Sequence, residues 1–163
     1  MIPSILNGWE LFLDNIFREL AERGIRRSEL QIDHVCYRVE TQARYDDLKL
    51  ELLEYCDLAH ESSVGNRMIA ILQFKKLLVY HEYNIHFLEL PAPKKGSPYV
   101  EGLQHVDLTV SPSLEMFMGI HPLPEYNTDA IHKAGHAVLT LKLPSGEVDF
   151  SNSSIEREIN RRQ

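Results

Sequence analysis

The stretch Ile32-Asp33-His34-Val35-Cys36-Tyr37-Arg38-Val39 has a related stretch later in the chain, Leu103-Gln104-His105-Val106-Asp107-Leu108-Thr109-Val110. Each stretch contains a His-Val pair at the same position, followed by an apolar residue at every second position. Such alternation is typical of a strand that is buried on one face. Two matching strands predict that the chain contains an imperfect internal duplication.

The segments that follow each of these strands also correspond. After the first strand we expect a helix over 42–56 and strands over 67–74 and 83–90. After the second we expect a short helix over 113–118, a proline-rich loop over 121–126, and strands over 136–143 and 147–150. Each half therefore has a histidine on its first strand and a carboxylate, Glu89 or Asp149, on its last strand.

The remaining segments set the domain boundaries. Apolar residues spaced three and four apart predict an amphipathic helix over 7–24, within an N-terminal helical arm over 1–28. Residues 92–100 are rich in proline, lysine and glycine and are predicted to be a linker. We therefore expect one domain over 29–163, made of two modules over 29–91 and 101–152.

Composition excludes several classes of protein. The chain has 163 residues, of which 44% are hydrophobic and 25% charged, as in a folded globular protein. Its net charge of −7 argues against nucleic acid as a partner, and no apolar run is long enough for a membrane span. The two cysteines are too few for a disulfide framework, which predicts a cytoplasmic protein.

Strand parity selects the polar residues that can meet. If the alternating apolar residues face a helix layer, the residues between them point to the opposite, free face of the sheet. The parity of the strand over 83–90 is harder to decide, because both of its faces carry apolar groups. The free faces would carry His34, Cys36, Arg38, Glu89, His105, Asp107, Thr109, Glu147 and Asp149.

Two curved sheets with these faces turned inward would form a cup that holds His34, Glu89, His105 and either Asp149 or Glu147. Two imidazoles with one or two carboxylates suit Zn²⁺, Mn²⁺, Fe²⁺, Co²⁺ or Ni²⁺. The alternative is that each histidine is an ordinary hydrogen-bonded strand residue.

Other polar residues are candidates for contact with a substrate. Arg38 and Arg67 could hold a carboxylate or an enolate, or could pair with acidic neighbours at a rim. His136 could be a ligand, a general base, a hydrogen-bond donor to a ligand, or simply a satisfied strand residue. Asp107, two residues beyond His105, could orient a ligand or contact the substrate.

Four short motifs resemble the YecM-like branch of the vicinal oxygen chelate superfamily, which also contains glyoxalases, epimerases and extradiol dioxygenases. They are Asp33-His34-Val35-Cys36-Tyr37-Arg38, Gly65-Asn66-Arg67-Met68-Ile69, Leu88-Glu89-Leu90-Pro91 and Glu101-Gly102-Leu103-Gln104-His105-Val106-Asp107. The resemblance implies an α+β fold of paired βαβββ modules around a metal cup. It places His34, Glu89 and His105 at the usual ligand positions.

The fourth ligand position departs from that pattern. Related proteins carry a Lys-Phe-His-type string where this chain has Asp149-Phe150-Ser151. The fourth ligand is therefore Asp149, Glu147 or water, and the repeat favours Asp149, which corresponds to Glu89.

The resemblance implies a divalent-metal-dependent enzyme with isomerase, lyase or dioxygenase chemistry on a small oxygenated molecule. The metal ion would be bound by His34, Glu89, His105 and Asp149. The catalytic residues would be His136, Asp149 and Arg67. The substrate would be bound by Arg38, Arg67 and Asp107. One alternative is a non-catalytic module that binds or sequesters a small ligand. Another is an interaction protein whose N-terminal helix mediates docking or homodimer formation.

Overall fold

A computed structural model describes residues 4–96 and 99–162, with side chains up to residue 160. The chain divides into two compact units. The first unit contains the residues up to Trp9 together with His34–Gln104. The second contains Glu10–Asp33 and the residues from His105 onward.

The first unit is built on one βαβββ module. Its elements are β1 (Gln31–Arg38, of which the unit holds the part from His34), α2 (Gln42–Leu52), β2 (Cys56–Val64), β3 (Arg67–Tyr80) and β4 (Tyr83–Pro91). The strands lie in the order β2-β3-β4-β1, with β1 parallel to β4 and the other neighbours antiparallel.

The second unit repeats this order of elements. It contains α1 (Trp9–Glu22) from Glu10 onward, β5 (Gly102–Thr109) from His105 onward, α3 (Leu114–Ile120), β6 (Tyr126–Asn127), β7 (Leu139–Leu143), β8 (Gly146–Ser151) and α4 (Ile155–Arg162). Its strands lie in the order β5-β8-β7-β6, and β5 is parallel to β8. The predicted α+β fold of paired βαβββ modules is confirmed.

The helix after the first strand of each module begins at a hydroxyl residue. The Thr41 Oγ1 atom accepts a hydrogen bond from the Arg44 backbone N–H at 3.1 Å, and Ser113 Oγ accepts one from Met116 at 3.2 Å. These caps satisfy backbone donors that the first turn of a helix leaves unpaired. Capping therefore fixes where each chain segment turns from strand to helix.

Helix α1 lies within the arm that the sequence predicted over 1–28, and from Glu10 onward it groups with the second unit. Three residues of its apolar stripe are fully buried: Leu13, Ile16 and Leu20. The buried Glu19 carboxylate accepts hydrogen bonds from the backbone N–H and the hydroxyl of Ser145, at 3.2 and 2.5 Å. An amphipathic helix must bury its apolar face, and this one buries it within the second unit.

Several predicted boundaries were wrong. The strand β2 over Cys56–Val64 was missed, because a half-exposed strand with Asp57, Glu61 and two serines shows no apolar alternation. The strand predicted from His136 begins instead at Leu139.

In the predicted linker, residues 92–96, 99 and 100 form neither helix nor strand, and Ser97 and Pro98 lie outside the described residues. None of the helices in the described ranges has the length and apolar character needed to cross a membrane.

Candidate metal centre

The polar face of the second unit is organised by the pairing of three strands. His105 on β5 lies beside Glu147 on β8, and Glu147 lies beside Lys142 on β7. In the next row, Asp149 on β8 lies between Asp107 on β5 and Thr140 on β7. Because laterally paired residues point to the same face, these rows bring one imidazole and three carboxylates together.

The opposite face of the same strands is apolar. Val106, Val148 and Leu141 form one paired row, and all three are fully buried. This burial fixes the register, because a slip of one residue would move the apolar row to the polar face. The parity predicted for His105, Asp107, Glu147 and Asp149 is the one that the structure shows.

The distances identify a compact group of possible metal ligands. Single ligand atoms of His105, Glu147 and Asp149 all lie within 4.8 Å of one another. The His105 Nε2 atom lies 3.2 Å from Asp107 Oδ2, and both side chains are buried. The Thr140 hydroxyl donates a hydrogen bond of 2.6 Å to Asp149 Oδ1.

Electrostatics mark Asp149 as an unusual carboxylate. Burial, and then the nearby charge of Asp107, raise its pKa from the ordinary 3.8 to about 6. The His105 imidazole and the hydrogen bond from Thr140 act in the opposite direction. The second unit thus concentrates negative charge in a place where water compensates it poorly.

The first unit has a different set of residues at the corresponding positions. His34 on β1 lies beside Phe87 on β4, and Cys36 lies beside Glu89. The His34 Nε2 atom is 3.8 Å from Glu89 Oε2, and the Cys36 thiol donates to Glu89 Oε1 at 3.5 Å. This face therefore has one carboxylate where the second unit has three.

Strand register supports the predicted equivalence of the two halves. Val35 pairs with Leu88, and Val106 pairs with Val148. Each pair comes directly after the module's first histidine, which aligns Glu89 with Asp149 and Phe87 with Glu147. Within the units, the predicted ligands His34 and Glu89 lie together, as do His105 and Asp149. Binding of a single ion by all four of these side chains stays a prediction.

The two predicted substrate arginines make other contacts within the first unit. The Arg38 guanidinium lies over the Tyr99 ring, 4.5 Å from its centroid. Arg67 Nη1 donates to the Ala92 carbonyl at 3.4 Å. Their roles in substrate binding stay predictions.

His136 lies in the segment before β7 rather than on a strand. Its side chain is 49% exposed, and its Nδ1 atom lies 3.2 Å from Glu158 Oε1. This carboxylate raises the pKa of His136, an effect that partial burial opposes. Alternation could not place this residue, because the strand that it was assigned to begins three positions later.

Sequence reasoning missed Thr140, and for Cys36 it favoured packing over a role as nucleophile. The signal for Thr140 was present in principle, since antiparallel strands joined by the short Pro144-Ser145 turn pair Thr140 with Asp149. For Cys36, the parallel pairing of β1 with β4 brings the thiol to Glu89, and that register becomes known only from the structure.

Comparisons with known proteins give a family and a fold. The family model described as YecM protein matches residues 2–157. An uncharacterized protein of Haemophilus influenzae is 25% identical over 89 residues, which are 55% of this chain and 47% of that protein. The chain thus spans about half the length of this curated relative.

Comparison with a solved structure shows the fold. The structure of protein EC4020, from structural genomics, has a TM-score of 0.80 at 19% identity and covers 99% of this chain and 91% of its own. The methylmalonyl-CoA epimerase of Streptomyces coelicolor has a TM-score of 0.47 at 13% identity, covering 76% of this chain and 98% of its own. The latter values are too low to indicate a shared function. The match over 2–157 shows that the chain belongs to the YecM protein family.

Proposed function

We propose that the second unit binds a divalent metal ion through His105, Glu147 and Asp149, and that the protein is a metal-dependent enzyme of the vicinal oxygen chelate type. The observation that supports this proposal is the grouping of one imidazole and two carboxylates within 4.8 Å. Ligand atoms around an ion with bonds of ~2.1 Å lie roughly 3 Å apart. Small side-chain adjustments would therefore bring these three atoms to ligand distances.

The electrostatics of the donor set fit a cation. A group of half-buried carboxylates is costly unless positive charge compensates it, and the pKa of Asp149, raised to about 6, reflects this cost. A nitrogen ligand with oxygen ligands suits Mn²⁺, Fe²⁺, Co²⁺, Ni²⁺ or Zn²⁺. Asp107, 3.2 Å from the His105 ring, would orient that imidazole.

The substrate we propose is a small oxygenated molecule. A bound divalent ion supplies Lewis-acid stabilisation of an oxyanion or enolate. His136 is the candidate proton carrier: Glu158 contacts its Nδ1 atom, which leaves Nε2 to exchange a proton with a substrate. Arg38 and Arg67 are proposed to bind an anionic part of the same substrate.

Metal content and metal titration test this proposal. The protein is purified without a histidine tag, its metals are quantified, and the stripped protein is titrated with each of the five candidate ions. We expect one equivalent of metal in the wild type and loss of binding in His105→Ala. The matched control is His132→Ala, which removes an exposed histidine of the same unit.

Two results would contradict the proposal. One is a wild-type protein that binds none of the ions, which would leave non-catalytic ligand binding as the function to test. The other is equal binding by His105→Ala and the wild type, which would show that the ion lies elsewhere.

A further inference from the structure

The two units differ in what lies beside the carboxylate of the last strand. In the second unit Asp149 on β8 pairs with Thr140 on β7. In the first unit the corresponding carboxylate, Glu89 on β4, pairs with Ile71 on β3. Isoleucine has no hydrogen-bond donor in its side chain, so only the second unit offers a hydroxyl at this position.

We infer that Thr140 is a positioning residue for the metal centre, holding the Asp149 carboxylate so that its second oxygen serves as ligand. This inference rests on the proposed function, because it assigns Thr140 a role toward the same ion. The Thr140 hydroxyl donates to Oδ1 at 2.6 Å, within the range of a strong hydrogen bond to a carboxylate. With Oδ1 engaged, Oδ2 is the oxygen left for an ion.

The backbone explains why this contact is rigid. Leu139 and Leu141, on either side of Thr140, are both fully buried on the apolar face. They fix the direction of the Thr140 side chain on the polar face. A β-branched side chain has few χ1 rotamers, so the hydroxyl is held in place at little entropic cost.

The hydrogen bond also restrains the orientation of the carboxylate. Rotation about χ2 turns the plane of the Asp149 carboxylate, and the bond from the Thr140 hydroxyl to Oδ1 limits that rotation. A hydrogen bond to the ionised form favours the charge that a metal requires. Groups that hold ligands in this way typically change metal affinity 10- to 100-fold when they are removed.

The test compares three variants in the stripped, full-length protein. Thr140→Val keeps nearly the same shape but removes the hydroxyl, Thr140→Ser restores it, and Thr109→Val removes a threonine from β5 on the same face. Mn²⁺ and Co²⁺ are titrated by calorimetry, and the visible absorption of the Co²⁺ form reports ligand geometry. Far-ultraviolet circular dichroism checks that each variant is folded.

We expect Thr140→Val to weaken metal binding by about 10-fold or more and to change the Co²⁺ spectrum. The metal affinity of Thr140→Ser should lie within about threefold of that of the wild type, and the affinity of Thr109→Val should equal that of the wild type. Neither variant removes the hydroxyl that contacts Asp149. If Thr140 had only a structural role, the visible spectrum of the Co²⁺ form would not change.

Outcomes against the inference are distinct from failure of the metal site. If the wild type binds metal and folded Thr140→Val binds it equally well with the same spectrum, the positioning role is wrong and the metal site stands. A wild type that binds neither ion overturns both. If Thr140→Val does not fold, Thr140→Ser decides, because binding reduced about 10-fold despite its hydroxyl would contradict the inference.

Discussion

In both βαβββ units the first strand pairs in parallel with the last, and the valine after the first histidine meets a buried aliphatic residue, Leu88 or Val148. The polar faces of the two pairs differ. The first unit presents His34, Cys36, Phe87 and Glu89, whereas the second presents His105, Asp107, Glu147 and Asp149 at the same positions. The duplicated backbone is thus retained by its apolar face, while the polar face is free to change its charge.

This difference has an energetic consequence. Carboxylates on directly paired strand positions repel, as Asp107 and Asp149 do, and the first unit has a thiol opposite its carboxylate instead. Without a cation, this repulsion therefore lowers the stability of the second unit. Such a loss is typical of functional sites, where charge is placed for binding rather than for folding.

The largest expected effect concerns equivalent core positions, one in each unit. Phe150 is fully buried, with its ring centroid 4.8 Å from that of Phe117, and its equivalent in the first unit is the fully buried Leu90. We expect Phe150→Ala to lower the free energy of unfolding by about 4 kcal/mol and Leu90→Ala by about 3 kcal/mol. Urea unfolding measures both, and a cost below about 1 kcal/mol for either would show that the cores are not equivalent.

The next effect distinguishes the two equivalent carboxylates of the repeat, Glu89 and Asp149, by their contribution to metal binding. Asp149→Asn should weaken metal binding by about 10-fold or more, because it replaces a charged ligand by a neutral one. We expect Glu89→Gln, in the unit with one carboxylate, to have the smaller effect. Calorimetric titration of both variants decides, and a larger effect of Glu89→Gln would reverse the assignment of the centre to the second unit.

Removing the metal should reverse the sign of the Asp149 effect. The folded-state pKa of Asp149 is raised above its ordinary value to about 6, so this carboxyl destabilises the metal-free protein increasingly as pH rises from about 4 to 6. We expect Asp149→Asn to stabilise the metal-free protein by about 1 kcal/mol at pH 7.5 and not at all below pH 4. Glu89→Gln is the control. Urea unfolding of Asp149→Asn with no gain at pH 7.5 would contradict the account of repulsion.

The smallest effects are expected at two ion pairs that titrate in opposite directions. In the first unit, the Glu61 carboxylate accepts hydrogen bonds from Lys49 Nζ at 2.7 Å and from the Tyr45 hydroxyl at 2.6 Å, and both lower its pKa. The ionised carboxylate therefore stabilises the fold, and this stabilisation is lost as pH falls below the ordinary value of 4.5. In the second unit, Glu158 raises the pKa of His136, so that stabilisation is lost as pH rises above 6.5.

Because these groups are partly exposed, we expect Glu61→Gln and Glu158→Gln each to cost about 0.5 kcal/mol or less. When the free energy of unfolding is measured across pH, the cost of Glu61→Gln should vanish in acid and the cost of Glu158→Gln should vanish in base. A constant difference across pH for either variant would indicate that the pair does not set the stability.

Much of the fold could be predicted because burial leaves a clear periodicity. Val35, Tyr37 and Val39 alternate as a half-buried strand must, and their repeat at Val106, Leu108 and Val110 predicted the duplication. The strand over Cys56–Val64 could not be predicted in the same way, since its half-exposed faces impose no pattern of apolar residues.

The candidate site shows the same division. His105 and Asp149 could be placed on the free face by parity alone, because buried apolar residues such as Val106 and Val148 alternate with them along their strands. The contacts of Thr140 with Asp149 and of Cys36 with Glu89 depend on which strands are neighbours and in what register. The short Pro144-Ser145 turn sets the first of these registers locally, whereas no local pattern in the sequence carries the parallel pairing of β1 with β4.

Binding of a metal ion by the second unit can be tested with an anomalous diffraction map of crystals of the stripped protein soaked in Mn²⁺. We expect one anomalous peak, ~2.0–2.3 Å from a ring nitrogen of His105 and from carboxylate oxygens of Glu147 and Asp149. The same map would show whether His34 and Glu89 join the ligand set. A peak elsewhere, or none at a concentration that saturates the protein in solution, would contradict the account.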